Sequence, residues 1–209
     1  VFLCSPNNPT GTLIAEADIE QIVSELDGRA IVVLDEAYIE FADRASMAGR
    51  AKDHDNLVVL RTLSKAHALA GARCGAAIAS EAVIDVLSKV LPPYSFPTPV
   101  IETVIEALSD NRLRDSSASV AAIVAERERV AERLDGLNCV RQRWPSHSNF
   151  ILTRFDDLPA VIEFLFDKRI LIRDFGGAAE LKNCARITIG SPQENDALLD
   201  ALETYGSAN

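Results

Sequence analysis

The sequence has no metal-binding framework and no disulfide framework. Its four cysteines, Cys4, Cys74, Cys139 and Cys184, are far apart and form no C-x-x-C pair. Its three histidines, His54, His67 and His147, neither cluster nor form H-E-x-x-H. These absences predict a reduced, cytoplasmic chain with no metal site. No apolar run reaches the roughly 18 residues of a membrane span, so no membrane partner is expected. Basic residues are scarce: 21 lysines and arginines stand against 31 acidic residues, a net charge of -10. Without a concentrated basic run to offset that balance, nucleic acid is not an expected partner. Internal repeats and low-complexity tracts are also absent. What remains is 209 residues with 48% hydrophobic content, enough for a sizeable core in one large domain or two small ones.

The first half alternates strand and helix signals. VFLC (1–4) reads as a buried strand without a signal peptide before it. The turn-rich SPNNPTG follows. Ile19, Ile22, Val23 and Leu26 share one helical face. AIVVL (30–34) and LVVLR (57–61) are short β-branched runs that suit strands covered on both faces, and residues 73–79 suggest another strand. Helical spacing returns at Val83, Leu87 and Val90. The alternation predicts a mostly parallel sheet.

PPYSFPTP (92–99) is the best candidate boundary. Beyond it we expect a helix over 99–109 and a long amphipathic helix over 116–135, with Val120, Ile123, Val124, Val130 and Leu134 on one face. Strands near 138–143 and 148–153, a helix near 158–168, and strands in ILIR (170–173) and ARITIG (185–190) follow. The last helix opens with Ser191 as N-cap, Pro192 at its first position and Glu194 completing a capping box.

Chemistry-bearing residues collect just after the strands of the first half. Asn8 lies in SPNNPTG, Asp35 and Tyr38 in DEAY, and Thr62, Ser64 and Lys65 in TLSK; Arg73 closes a small-residue loop. Taken singly, each has an ordinary reading. Asn7 and Asn8 are turn formers, Asp35 a helix cap, Tyr38 a core phenol and Arg73 a surface ion-pair partner. Taken together, they face the crevice where open parallel sheets bind ligands. A lysine set among small and apolar residues is expensive unless it is used. One use is a Schiff base with a carbonyl group, and pyridoxal phosphate requires such a lysine together with an acidic partner.

SPNNPTG, DEAYIEF, TLSKAHALAGARCG, SNFIL, ILIRD and ARITIG together resemble the histidinol-phosphate aminotransferases, a branch of the fold-type I pyridoxal-phosphate aminotransferases. The resemblance runs from Phe2 to about Leu202 and covers the C-terminal part of the family chain. It implies an α/β fold: the C-terminal part of a PLP-transferase-like large domain with a mostly parallel sheet (1–98), then a connecting helix and small C-terminal α+β domain (99–209). It implies pyridoxal 5'-phosphate as cofactor and Lys65 as the Schiff-base lysine and proton shuttle. By the same resemblance, Asp35 holds the pyridine nitrogen protonated, and Asn8 and Tyr38 bond the phenolate oxygen. Thr62, Ser64 and Arg73 contact the cofactor phosphate. Arg186 clamps the substrate carboxylate, and Arg173 contacts a distal phosphate.

The implied reaction exchanges an amino group between L-histidinol phosphate and 2-oxoglutarate, a step of histidine biosynthesis, in a homodimer. The partners are then a small amino-acid phosphate and a 2-oxo acid. The family chain carries a further segment before SPNNPTG, including the glycine-containing loop for the cofactor phosphate. Its absence here fits a fragment whose other half is a separate chain, a truncated and retasked product, or a cut piece. Two alternatives accompany this expectation: a chain inactive on its own, serving as an interaction or structural remnant, and a related enzyme such as threonine-phosphate decarboxylase. Smaller expectations are a cis Asn8–Pro9 bond, packing roles for Cys74 and His67, and core or rim positions for Trp144 and Tyr94.

Overall fold

The structure is a computed structural model that describes residues 1–208. It divides into two compact units: Val1–Pro6 with Leu13–Val120, and Asn7–Thr12 with the chain from Ala121 onward.

The first unit is built on β1 (Phe2–Cys4), β2 (Val32–Asp35), β3 (Leu57–Thr62) and β4 (Gly75–Ile78). They lie in the order β1-β2-β3-β4; the first three are parallel, and β4 runs antiparallel to β3. Between β1 and β2 runs α1 (Glu16–Glu25), and the predicted stripe holds: Ile19 and Val23 are buried. They pack with Val32, Leu34, Leu57 and Val59, which share one sheet face by the two-residue alternation of strands. The opposite face is less closed than the β-branched runs suggested. There Val33 and Leu60 are only half-buried, because α1 packs on one side of the sheet.

Two buried polar groups tie this unit's loops to its core. The fully buried Glu36 carboxylate accepts from the Ser46 hydroxyl and from the Met47 amide. Asn56 donates to the Val23 carbonyl at 2.9 Å, anchoring the end of α1. Three helices follow: α2 (Glu81–Ser88), α3 (Thr98–Ala107) and α4 (Asp110–Asp135). The helical spacing holds for Val83 and Leu87 in α2, while Val90 lies just beyond the end of that helix at Ser88. No residue of α2 is buried, and Val90 is 76% exposed. Tyr94, expected in the core or at its rim, projects into solvent. Helix α4 starts six residues before the expected 116, because the polar run DNRLRD carries no apolar period to mark it.

The second unit carries β5 (Val140–Arg143), β6 (Phe150–Phe155), β7 (Arg173–Asp174) and β8 (Cys184–Thr188) in an antiparallel sheet of order β5-β6-β8-β7. Ile151, Phe155, Ala185 and Ile187 on one face pack against Val130 and Leu134 of α4, Val161 and Leu165 of α5 (Leu158–Asp167), and Leu199 and Leu202 of α6 (Pro192–Ala208). The capping box is present: the Glu194 carboxylate accepts from the Ser191 amide and hydroxyl, both at 2.8 Å, and the Ser191 hydroxyl accepts from the Glu194 amide.

ILIR is not the strand its composition predicts, since only Arg173 joins the ladder. Arg169 adopts a positive φ of 63°, and the Ile170 amide turns back to the Leu165 carbonyl at 2.9 Å, so this stretch first terminates α5. Ile170 and Ile172 still pack on the core. The Asn8–Pro9 bond is cis, as expected, and so is Ser5–Pro6. No helix among the described residues is long and apolar enough to cross a membrane.

Candidate active site

In the first unit, β2 ends at Asp35 and the neighbouring β3 ends at Thr62, so both parallel strands deliver their next residues to the same edge. There a cavity of about 570 Å³ is lined by Asp35, Thr62, Ser64, Lys65, Arg73 and Cys74, among others. Five of the residues singled out in the sequence therefore share one space, at the carboxyl ends of parallel strands where α/β sheets bind ligands.

Local geometry explains the arrangement. Asp35 Oδ1 accepts from the Ala37 amide at 2.9 Å, which holds the carboxylate against its own turn. Thr62 Oγ1 donates to Ser64 Oγ at 2.9 Å and accepts from the Ser64 amide at 3.1 Å, so the two hydroxyls form a fixed pair. After Lys65 the chain reverses: the Ala68 amide reaches the Lys65 carbonyl and the Leu69 amide the Leu63 carbonyl, each at 3.0 Å. Arg73 ends the reversal with φ at 52°, and its guanidinium donates to the Ala70 carbonyl at 3.0 Å. Gly75 then pairs with Thr62 so closely that a Cβ there would meet the Arg61 carbonyl oxygen at 2.7 Å. Only glycine lets β4 approach β3 at that point.

Lys65 is exposed in this structure, and its ammonium lies 5.3 Å from the centroid of the Tyr38 ring. That distance is within reach of a cation–π attraction. Tyr38 itself is buried. An amine, a carboxylate, two hydroxyls and a guanidinium on one cavity form a donor set that could hold a phosphorylated aromatic aldehyde with a basic ring nitrogen. Pyridoxal phosphate fits that description.

Sequence reasoning missed Arg61 and Glu40. Arg61 also lines the cavity, and its Nη2 lies 2.7 Å from Glu40 Oε1, joining the end of β3 to the 3₁₀ turn Ile39–Phe41. Both residues flank motifs singled out above, in LVVLRTLSK and DEAYIE. A pairing across 21 positions is legible only once the strand register is known.

The other three candidate residues lie in the second unit. Asn8 Oδ1 accepts from Arg186 Nη1 at 2.8 Å. The loop carrying Asn8 is closed by Asn7, whose amide donates to the Thr12 carbonyl at 2.8 Å, and by Gly11 at a φ of 74°. The Arg186 guanidinium stacks 5.0 Å from the Phe150 ring and 5.7 Å from Phe175. Its Nε is shut off from solvent and has no hydrogen-bond partner. Arg173 is its cross-strand neighbour on β7. Two like charges directly opposite each other repel, an arrangement that an anion between them would relieve.

Comparison with known proteins gives this geometry its context. The family "Aminotransferase class I and II" matches residues 1–202. The histidinol-phosphate aminotransferase of Shigella flexneri serotype 5b (strain 8401) is 46% identical over 202 residues, which are 97% of this chain and 57% of that protein. The chain thus spans little more than half the length of this curated relative. Among solved structures, the histidinol-phosphate aminotransferase from Clostridium acetobutylicum has a TM-score of 0.91 at 24% identity, covering 100% of this chain and 64% of that one; this is a likeness of fold. The enzyme of that name from Sinorhizobium meliloti, in complex with pyridoxal-5'-phosphate, has a TM-score of 0.86 at 28% identity and covers 100% of this chain and 57% of that one. With a family match that takes in both sheets and the Lys65 cavity, this chain belongs to the class I and II aminotransferases.

Proposed function

We propose that this chain is the C-terminal part of a pyridoxal-phosphate-dependent aminotransferase that exchanges an amino group between L-histidinol phosphate and 2-oxoglutarate. The observation that carries the proposal is the convergence of Asp35, Thr62, Ser64, Lys65 and Arg73 on one cavity. In this reading residues 1–98 are the remaining part of the cofactor-binding domain, and 99–209 are the connecting helix and the small domain. The homodimer and the cytoplasmic location belong to the same proposal.

The residues would divide the work as follows. Lys65 would supply the amine that anchors the cofactor, and the same amine would take and return the proton at the substrate α-carbon. Asp35 would hold a proton on the cofactor's ring nitrogen. Tyr38 and Asn8 would hydrogen-bond its phenolic oxygen. Arg73, with the Thr62 and Ser64 hydroxyls, would receive its phosphate through charge-assisted bonds. The bound cofactor supplies an electron sink for the carbanion. Arg186 would take the anionic group carried near the substrate's amino carbon, a carboxylate in glutamate and a phosphate in histidinol phosphate. Its planar fork suits either one. Arg173, across the strand, adds a second positive charge for the phosphate.

A specific observation favours a second reading, in which the chain is inactive alone and acts with a complementary segment. Helices α2 and α3 leave Val86, Ile101 and Ile105 exposed in the same unit as Lys65. One experiment addresses both. The 209-residue chain is incubated with pyridoxal phosphate, reduced with borohydride and digested. The peptide containing Lys65 should gain the mass of the reduced pyridoxyl group, with a visible absorbance band before reduction, and Lys65→Ala should show neither. If Lys65 goes unmodified in the wild type, this chain does not build the cofactor site by itself, and the second reading stands.

A further inference from the structure

In the second unit Arg186 is held from several sides before any ligand reaches it. Strand β8 runs between β6 and β7 in the sheet. Phe150 of β6 pairs with Thr188, Arg173 of β7 pairs with Arg186, and the Phe175 amide donates to the Cys184 carbonyl at 2.9 Å. Phe150 and Phe175 are therefore diagonal neighbours of Arg186, one on each side of β8 and one toward each of its ends. By the two-residue alternation of strands, all three side chains belong to one face of the sheet. The guanidinium lies 5.0 Å from the Phe150 ring and 5.7 Å from the Phe175 ring, both within cation–π range. Phe150 is buried in β6, whereas Phe175 is half-buried and follows the last residue of β7.

Arg186 needs such restraint. Its cross-strand neighbour is Arg173, a like charge that pushes a free side chain away. An arginine has large rotamer freedom, and a ligand that must order it loses affinity in doing so. Nη1 is already given to Asn8 Oδ1 at 2.8 Å and Nε is closed to solvent, so a ligand meets Arg186 at its Nη2 end. That end has to be aimed. The bond to Asn8 fixes one point of the guanidinium and leaves rotation about it; a ring beside the guanidinium opposes that rotation. We propose that Phe175 is a positioning residue, whose ring, together with that of Phe150, keeps Arg186 aimed at the anionic group of the substrate. This rests on the reading of Arg186 as the substrate's anion partner, and it adds an aromatic ring at position 175 as a requirement for tight binding there. Phe175 is the residue to alter, because Phe150 is also part of the buried sheet.

The test uses the ¹⁵N-labelled 209-residue chain and succinate, a dicarboxylate that does not react with amines. The Arg186 Nε–H signal, assigned by its loss in Arg186→Lys, is followed through a titration. Wild type should give a saturable shift. Phe175→Leu keeps apolar bulk but has no ring, and it should bind about two- to fivefold more weakly. Phe175→Tyr keeps the ring and should bind like wild type. Equal weakening in both variants would mean that packing alone matters and would overturn the proposal. If wild type responds and Phe175→Leu binds just as tightly, the proposal is overturned while the anion reading of Arg186 stands. If the wild-type signal ignores succinate, the anion reading falls and the proposal with it. Should Phe175→Leu fail to fold, the ligand-free wild type decides. Its Arg186 Nε should show a heteronuclear NOE as high as those of the β8 amides; a value as low as that of a freely rotating side chain would overturn the proposal.

Discussion

In the second unit, α5 and α6 bury Val161, Leu165, Leu199 and Leu202 against an antiparallel sheet, and α4 adds Val130 and Leu134 to the same core. In the first unit, α2 and α3 carry apolar residues at the same helical spacing, yet Val86 is 61% and Ile105 66% exposed, and neither helix buries a single residue. Periodicity shows that a helix has an apolar face; it does not show that the chain in hand supplies the surface to cover it. The proposed catalytic residues stand in the less closed unit. Exposed contiguous apolar surface usually marks a place where something else packs.

The contrast can be broken most directly in the closed core. Leu134→Ala removes a fully buried side chain and should destabilise the second unit by about 2–5 kcal/mol. Trp144, the only tryptophan and a member of that unit, reports its unfolding in urea. A loss under about 1 kcal/mol would mean that the core is loosely packed and the contrast overstated.

Next in size is the buried carboxylate of the first unit. Glu36→Ala strands the Ser46 hydroxyl and the Met47 amide, a cost of about 1–3 kcal/mol that faster hydrogen exchange at Met47 should register. If exchange there is unchanged, the first unit is not held by this network. Ser191→Ala, which removes the N-cap of α6, should cost about 1 kcal/mol in the tryptophan-reported transition.

Acid should weaken the second unit through two carboxylates. Hydrogen bonds from the Ser191 amide and then its hydroxyl hold Glu194 below its ordinary pKa. Those from Arg129 and then Asn195 do the same for Glu126. A carboxylate with a depressed folded value contributes fully above its ordinary value near 4.5, and the contribution fades as pH falls through the folded value. Glu126→Gln should therefore give a shallower loss of stability below pH 4.5 than wild type; parallel acid limbs would show that these bonds do not matter. The smallest effect is expected on the open face. Val86→Gln should change stability by less than about 0.5 kcal/mol while lowering the binding of an apolar dye. A large destabilisation would show that the residue is covered after all.

Features set by neighbours along the chain were readable before any coordinates. Ser191, Pro192 and Glu194 announce a helix start because the capping bonds span only three positions. Asp35, Thr62, Ser64 and Lys65 were readable as a group because each lies at or just beyond the end of a parallel strand, and such ends meet at one edge; Arg73 reaches the same edge from the loop before β4. Features that depend on distant partners were not. ILIR has strand composition, but the amide of Ile170 serves the end of α5. The pairing of Glu40 with Arg61 depends on the register of β3 beside the turn that follows β2. The small residues of GAAI give no clue that β4 runs antiparallel. The apolar spacing at Val83 and Leu87 is correct as a helix signal and silent about burial, and Val90, read with them, lies past the helix end at Ser88.

The loop Asn7–Thr12 belongs to the second unit, although most of that unit begins 114 positions further on, at Ala121. Its Gly11 carbonyl accepts the His147 amide, a Cβ on Gly11 would collide with Ser146, and Asn8 binds Arg186. The second unit is therefore not a cassette. A gene fragment starting at codon 121 would encode its helices and sheet but not the hexapeptide that partners Arg186. Recombination that shuffled the C-terminal segment alone would separate the arginine from its asparagine, so the two must be inherited together for the pairing to persist.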